Sequence, residues 1–164
     1  MANQLWLLRH GEAEPHGARP DAERRLTPRG EDQARTAGAA LAALELTFQH
    51  VYTSPKVRAR ETAVLAAESL GVEPIEIAGL AEGFGAEDAR ELLGTAAADE
   101  RVLIVGHNPD FEQIVHDLTG ARVDFKKGGV AGVRLDGTRG ELVALLRPRE
   151  LDRIGPLIDH PPGH

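Results

Sequence analysis

The stretch Val102-Leu103-Ile104-Val105-Gly106-His107-Asn108-Pro109 decides the fold class of this chain. Four consecutive apolar residues are the pattern of a strand covered on both faces, as in a parallel sheet flanked by helices. The run ends at a glycine, delivers a histidine and turns into Asn108-Pro109, a cap followed by proline, which predicts a helix to Leu118 with a stop at Gly120. The same order of events occurs at the start of the chain. Leu5-Trp6-Leu7-Leu8 runs into Arg9-His10-Gly11, and a loop rich in Pro, Gly and charge follows from Glu12 to Leu26. Thr27-Pro28 then predicts a capped helix with Ala34, Ala37, Ala40, Leu41 and Leu44 as its apolar stripe. A third repetition links Val51-Tyr52-Thr53 to Ser54-Pro55, with Ala59, Ala63, Ala66 and Leu70 at helical spacing until Gly71.

The remaining segments complete the alternation. Ile75 to Ile77 reads as a short strand, Leu80 to Gly85 as a glycine-rich loop, and Ala86 to Leu93 as a helix. Val130 to Leu135 and Leu142 to Leu146 flank Asp136-Gly137, a turn signal that predicts a hairpin. A terminal helix over Leu151 to Ile158 precedes Pro161-Pro162-Gly163-His164. Strand and helix alternate four times before the hairpin, so the expected fold is a three-layer α/β/α sandwich with a mostly parallel central sheet and a C-terminal hairpin. There is no internal repeat or low-complexity tract, and one domain over residues 1–164 is expected from a chain that is 41% hydrophobic.

Composition removes several function classes. The formal charge of −7 argues against a general affinity for nucleic acid or an anionic membrane, so any anion site must be local. There is no cysteine, which excludes disulfides, thiolate metal sites and a cysteine nucleophile and fits a reducing compartment. Met1 to Gln4 carry no basic segment and the run Leu5 to Leu8 is too short for a leader, so a cytoplasmic protein is expected, with no membrane or nucleic-acid partner.

In open parallel sheets, ligands bind beyond the carboxyl ends of the strands, where helix N-termini converge. The polar residues of this chain fall at those positions: Arg9, His10 and Gly11 after the first strand, Ser54 and Arg58 after the second, Glu82 after the third, His107 and Asn108 after the fourth. Two arginines and two histidines make an anion clamp, and planar guanidinium forks suit phosphate in particular. Arg9 follows an apolar strand and would be a costly charge there without an anionic partner.

Arg9-His10-Gly11-Glu12, Ser54-Pro55-Lys56-Val57-Arg58-Ala59 and Val105-Gly106-His107-Asn108-Pro109 resemble segments of the histidine phosphatase superfamily, also called phosphoglycerate mutase-like. Leu26-Thr27-Pro28-Arg29-Gly30 and Leu80-Ala81-Glu82 match in family order as well, so the resemblance spans nearly the whole chain. Its shortness, the Gly-His-Asn-Pro element and Phe125-Lys126-Lys127-Gly128-Gly129 look most like the SixA-type phosphohistidine phosphatases. The resemblance implies a phosphatase that passes the phosphoryl group through a covalent phosphohistidine on His10. It implies Arg9, Arg58 and His107 as the phosphate pocket and Glu82 as the proton donor, with Glu12 or no dedicated acid as alternatives. Gly11 is expected to let backbone approach the phosphate, and Asn108 to cap its helix and aim it at the site. Because arginines take the charge-neutralising role, no metal or other cofactor is expected.

The expected partner is the phosphohistidine of a protein, since a chain this short has little length for a lid, and a monomer is expected. The rivals are a phosphatase or mutase for a small phosphorylated metabolite, and a non-catalytic phosphate- or phosphoprotein-binding module on the same fold. Arg60 is read as solvated, and His16, His50, His116, His160 and His164, which lack motif partners, as surface or structural. Lys126-Lys127 is read as solvent-facing, with docking of a phosphoprotein as its rival reading.

Overall fold

In the computed structural model, residues 2–137 and 139–155 are described. Their elements are β1 (Asn3–Arg9), α1 (Pro28–Ala43), β2 (His50–Thr53), α2 (Val57–Leu70), β3 (Pro74–Glu76), α3 (Ala86–Gly94), β4 (Arg101–Gly106), α4 (Asp110–Thr119), β5 (Val130–Asp136), β6 (Arg139–Leu146) and α5 (Pro148–Ile154). Single 3₁₀ turns lie at Asp21–Glu23 and Ala78–Ala81. The alternation of strand and helix is the one predicted. Helix α5 ends at Ile154; residues 156–158, expected to prolong it, and the tail with His160 and His164 lie outside the described residues.

The six strands form one sheet in the order β3-β2-β4-β1-β5-β6. The first four are parallel, and the hairpin β5–β6 adds antiparallel to β1. Strands β1 and β4 are neighbours at the centre, which is why each is an unbroken apolar run: Leu5 to Leu8 and Val102 to Val105 are all buried. Alternate side chains serve the two faces. Leu5, Leu7, Val102 and Ile104 pack under α3 and α4 against Ala89, Leu93, Phe111 and Ile114. Trp6, Leu8, Leu103 and Val105 pack under α1, α2 and α5 against Ala37, Leu41, Ala63, Ala66 and Leu151. These are the three layers. The register pairs Leu8 with Val105 and Arg9 with Gly106, so both central strands end at the same level and release His10 and His107 side by side. The His10 amide donates to the Gly106 carbonyl at 3.1 Å, which extends that alignment one residue beyond β1.

Of the three starts read as a cap followed by proline, one follows the sequence prediction and two depart from it; α3 begins at Ala86 as expected and α5 at Pro148, three residues early. Thr27 caps α1, its Oγ1 accepting from the Gly30 amide at 3.1 Å. Helix α2 starts at Val57, not Pro55, because Ser54 is drawn into a turn in which its Oγ accepts from the Lys56 amide at 3.2 Å. Helix α4 starts at Asp110, and Asn108 does not cap it: its Nδ2 donates instead to the Phe125 carbonyl at 3.1 Å. Among the described residues no helix is long and apolar enough to cross a membrane.

Helices α1 and α2 meet at small residues. A Cβ at Gly38 would collide with the Ala66 carbonyl of α2, and backbone cannot yield as a flexible side chain could. Gly94, at the end of α3, has open space around it. The two glycines therefore separate helix propensity from packing. Gly94→Ala should raise stability by about 0.5–1 kcal/mol, the propensity gain alone. Gly38→Ala should lower it by about 1–3 kcal/mol, because forcing the helices apart outweighs that gain. Urea denaturation midpoints at constant m-value test both signs.

Candidate active site

His10 leaves β1 into a buried position, 7% exposed, and its Nδ1 lies 2.7 Å from the Gly11 carbonyl oxygen. A carbonyl can only accept, so Nδ1 carries the proton and the lone pair of the neutral ring sits on Nε2. The His107 ring faces it, with centroids 5.2 Å apart and planes tilted by 55°. His107 is held from β2: its Nε2 lies 2.8 Å from Ser54 Oγ, the hydroxyl that also accepts from the Lys56 amide. Burial, more than any other cause, pushes both histidines down to about 3, and the fields of Arg58 and Arg9 act in the same direction on each. Both rings are thus neutral nitrogen bases surrounded by cations.

The cations are held by carbonyls and one carboxylate. Arg9 Nη1 donates to the Phe125 carbonyl at 2.7 Å, the same oxygen that accepts from Asn108. Arg58, 5% exposed in the first turn of α2, donates from Nη1 to the Asp21 carbonyl at 2.8 Å and from Nη2 to Asp21 Oδ2 at 3.3 Å. Desolvation lowers the pKa of both guanidinium groups. Asp21 also takes Lys56 at 3.3 Å and Arg24 at 3.0 Å. Burial opposes its charge, but hydrogen bonds from Lys56 and Arg24 and the field of Arg58 overcome that and hold its carboxyl far below the usual carboxylate range. Arg58 Nε, Arg9 Nε, His107 Nδ1 and Asn108 Oδ1 are buried without a partner among the described residues. A native fold tolerates such groups rarely, at about 1–3 kcal/mol each; these four belong to residues of the site, and two others, Asn3 Oδ1 and Arg90 Nε, lie apart from it.

The structure brings Arg9, His10, Arg58, His107 and Asn108 together. It gives Gly11 a different task from the one predicted: its amide donates to Thr62 Oγ1 at 3.2 Å, and the space a side chain would fill belongs to the Gly30 backbone of α1. Its lack of a side chain lets β1 and α1 touch, and its N–H is already engaged. Glu82 stands exposed after the turn Ala78–Ala81, and no hydrogen bond or ion pair among the described residues joins it to the histidines. Glu12 is half-buried, with its Oε2 accepting from Thr27 Oγ1 at 2.7 Å. Sequence reading missed Arg24, Asp21 and Thr62. Arg24 is 7% exposed, with Nη1 on the Glu14 carbonyl at 2.6 Å; Thr62 Oγ1 donates to the Arg58 carbonyl at 2.7 Å within α2, and by accepting from the Gly11 amide it ties that helix to the exit of β1. His16 and His116 are exposed and His50 stacks on Tyr52; His16 Nδ1 lies 3.9 Å from Asp21 Oδ1, at the outer side of the carboxylate that holds Arg58. Among the described residues no group of His, Cys, Asp or Glu is arranged to hold a metal.

Residues 5–92 match the histidine phosphatase superfamily, branch 1. An uncharacterized protein of Picosynechococcus sp. is 36% identical over 162 residues, covering 90% of this chain and 98% of its own length. This chain belongs to the histidine phosphatase superfamily. Solved structures of similar fold include the protein histidine phosphatase SixA complexed with tungstate (TM-score 0.82, 24% identity, 90% of this chain and 99% of that one). A phosphoserine phosphatase mutant of Entamoeba histolytica with phosphoserine is also similar (TM-score 0.75, 17% identity, 91% and 99%). The three-layer fold of this histidine phosphatase is therefore SixA-like, and the enzyme is a phosphatase-class hydrolase.

The two depressed histidines give this histidine phosphatase a defined response to acid. A histidine at about 3 in the folded state and about 6.5 in the unfolded chain favours folding fully above pH 6.5. That contribution is lost as pH falls from 6.5 toward 3, because only the unfolded state takes up the proton. Each histidine should steepen the loss by about 1.4 kcal/mol per pH unit within that window. Replacing His10 and His107 by Asn should flatten the fall in unfolding free energy between pH 6.5 and 4.5. A double variant with the wild-type slope would show that neither ring resists protonation.

Proposed function

We propose that the chain hydrolyses phosphohistidine on a protein, with His10 as the nucleophile. The observation that carries this reading is the fixed tautomer of His10: Nδ1–H bound to the Gly11 carbonyl leaves an unprotonated Nε2 beside His107. In the proposed reaction the Nε2 lone pair forms a bond to phosphorus as the donor's P–N bond breaks. The bonding pair departs with the donor imidazole nitrogen, which picks up a proton. Water then forms a bond to the phosphorus of phospho-His10 as the P–Nε2 bond breaks, and the bonding pair returns to Nε2. Inorganic phosphate leaves while the water's proton passes to it or to solvent, so the ring is neutral again. Arg9, Arg58 and His107 offer donors to the phosphoryl oxygens, and a strand exit and a helix N-terminus carry these groups into place before the substrate arrives. Asp21 orients the Arg58 fork and is too acidic to serve as a proton donor.

The carboxylates favour phosphohistidine over an alkyl phosphate. An alkoxide leaving group needs a proton from a well-placed acid, whereas an imidazole leaving group is readily protonated. Here Asp21 is locked in ion pairs, Glu12 is tied to Thr27 and Glu82 is exposed. The name of the similar SixA structure, a protein histidine phosphatase, supports the same substrate.

Rapid quench with a phosphorylated histidine-containing protein should trap a phosphoenzyme that survives alkali and is destroyed by acid. His10→Ala should abolish it and reduce kcat by about 10³-fold or more. Arg58→Lys, which loses the fork, should cost about 10²-fold in kcat/KM. A label with the stability of phosphoserine, or wild-type turnover by His10→Ala, sinks the assignment.

A further inference from the structure

Beside the site runs an open groove of about 570 Å³ whose charge is opposite to that of the chain. Arg9, Arg29, Lys126, Lys127, Arg147 and Arg149 line it against one carboxylate, Glu12, on a protein of formal charge −7. Arg9 belongs both to this groove and to the site; His10, Arg58 and His107 do not line it. The cations come from four separate places: the exit of β1, the first turn of α1, the loop before β5, and the junction of β6 with α5. That loop is pinned rather than loose. The Gly128 amide donates to the Arg9 and His10 carbonyls at 3.0 Å each, and the Arg9 amide donates to the Gly129 carbonyl at 3.1 Å. Gly128 adopts φ +76°, which glycine accepts freely, so the turn sets Lys126 and Lys127 directly beside the nucleophile's backbone.

Resting on the phosphoprotein reading above, we propose that this groove docks a short acidic segment flanking the phosphorylated residue of the partner. Charge complementarity gives the sign. The form of the site gives the occupant: a small dianion is usually held by convergent, buried donors, whereas these cations are spread along an open trough on exposed side chains, 55% for Lys126, 50% for Arg147 and 75% for Arg149. Lys126 pairs with Asp124 and Arg149 lies 3.7 Å from Glu150, surface pairs that exchange for new ones at little cost, whereas Glu150 holds Arg147 bidentately at 2.8 and 2.9 Å. Arg29 and Lys127 have no ion pair among the described residues. The trough is also bounded. Past Arg149 it continues into a depression of about 340 Å³ where Asp32 and Asp152 balance Arg29 and Arg149, so the excess of positive charge ends there and the acidic stretch that fits is short.

The test uses two phosphohistidine peptides that differ only in a flank of four glutamates or four glutamines, together with their unphosphorylated forms. Wild type should turn over the glutamate peptide with about tenfold higher kcat/KM, a preference that fades as salt rises. Lys127→Glu with Arg149→Glu should erase the preference, while Arg139→Glu, a charge reversal at the start of β6 that does not line the groove, should retain it. Equal turnover of the two peptides by wild type, or a preference that survives in the double variant, overturns the groove and leaves the phosphohistidine reading standing. If neither peptide is turned over, that reading fails, and binding of the unphosphorylated peptides decides the groove. About tenfold tighter binding of the glutamate form, lost in the double variant, supports it, and equal binding overturns it. Preference for a small bisphosphorylated ester over the acidic peptide, abolished in the double variant, also overturns it and assigns the trough to a second phosphate.

Discussion

The chemistry depends on keeping one imidazole unprotonated in a ring of positive charge. Burial makes a cationic His10 unfavourable, Arg9 and Arg58 make it worse, and the Gly11 carbonyl fixes where the remaining proton sits. The two arginines that add to this effect also favour an anion beside the ring, whereas burial, the larger cause, disfavours charge of either sign. A neutral imidazole and the cations that surround it are thus held by the same strand exits. The fold supplies this arrangement through register: β1 and β4 end level, and all else in the site is placed relative to that shared edge.

Much of the architecture was legible because doubly covered strands leave little ambiguity. Leu5 to Leu8 and Val102 to Val105 have no polar face to show, so only a central, helix-flanked position suits them. The two histidines of the site were legible for the same reason: His10 follows the first run after Arg9, and His107 follows the second after Gly106. The helix starts at Ser54-Pro55 and Asn108-Pro109 were misread because local rules cannot see distant claims on a side chain. Ser54 is engaged by His107, 53 residues away, and Asn108 by a carbonyl 17 residues on. Arg24 and Asp21 lie in a charged loop without periodicity, where nothing distinguishes a buried arginine from a solvated one. Their importance arises only when that loop folds over the first turn of α2.

Net charge proved a poor guide to local charge. A chain with seven more acidic than basic groups still concentrates its cations along one trough, because the residues that build it are far apart in sequence. Lys126 and Lys127 are exposed, as read, yet exposure does not make them idle: a backbone turn holds them at the threshold of the site. Only the packing of α5 on α1 brings Arg147 and Arg149 to the same trough.

The contact between Gly11 and Gly30 has a mechanical consequence. A Cβ on Gly11 would run into the backbone of Gly30, and one on Gly30 into the Glu12 carbonyl, so the start of α1 and the strand exit are joined main chain to main chain. This joint has no compliant layer of side chains to absorb displacement. A displacement of α1 is therefore passed straight to the backbone that carries His10, and strand exit and helix start shift as one piece.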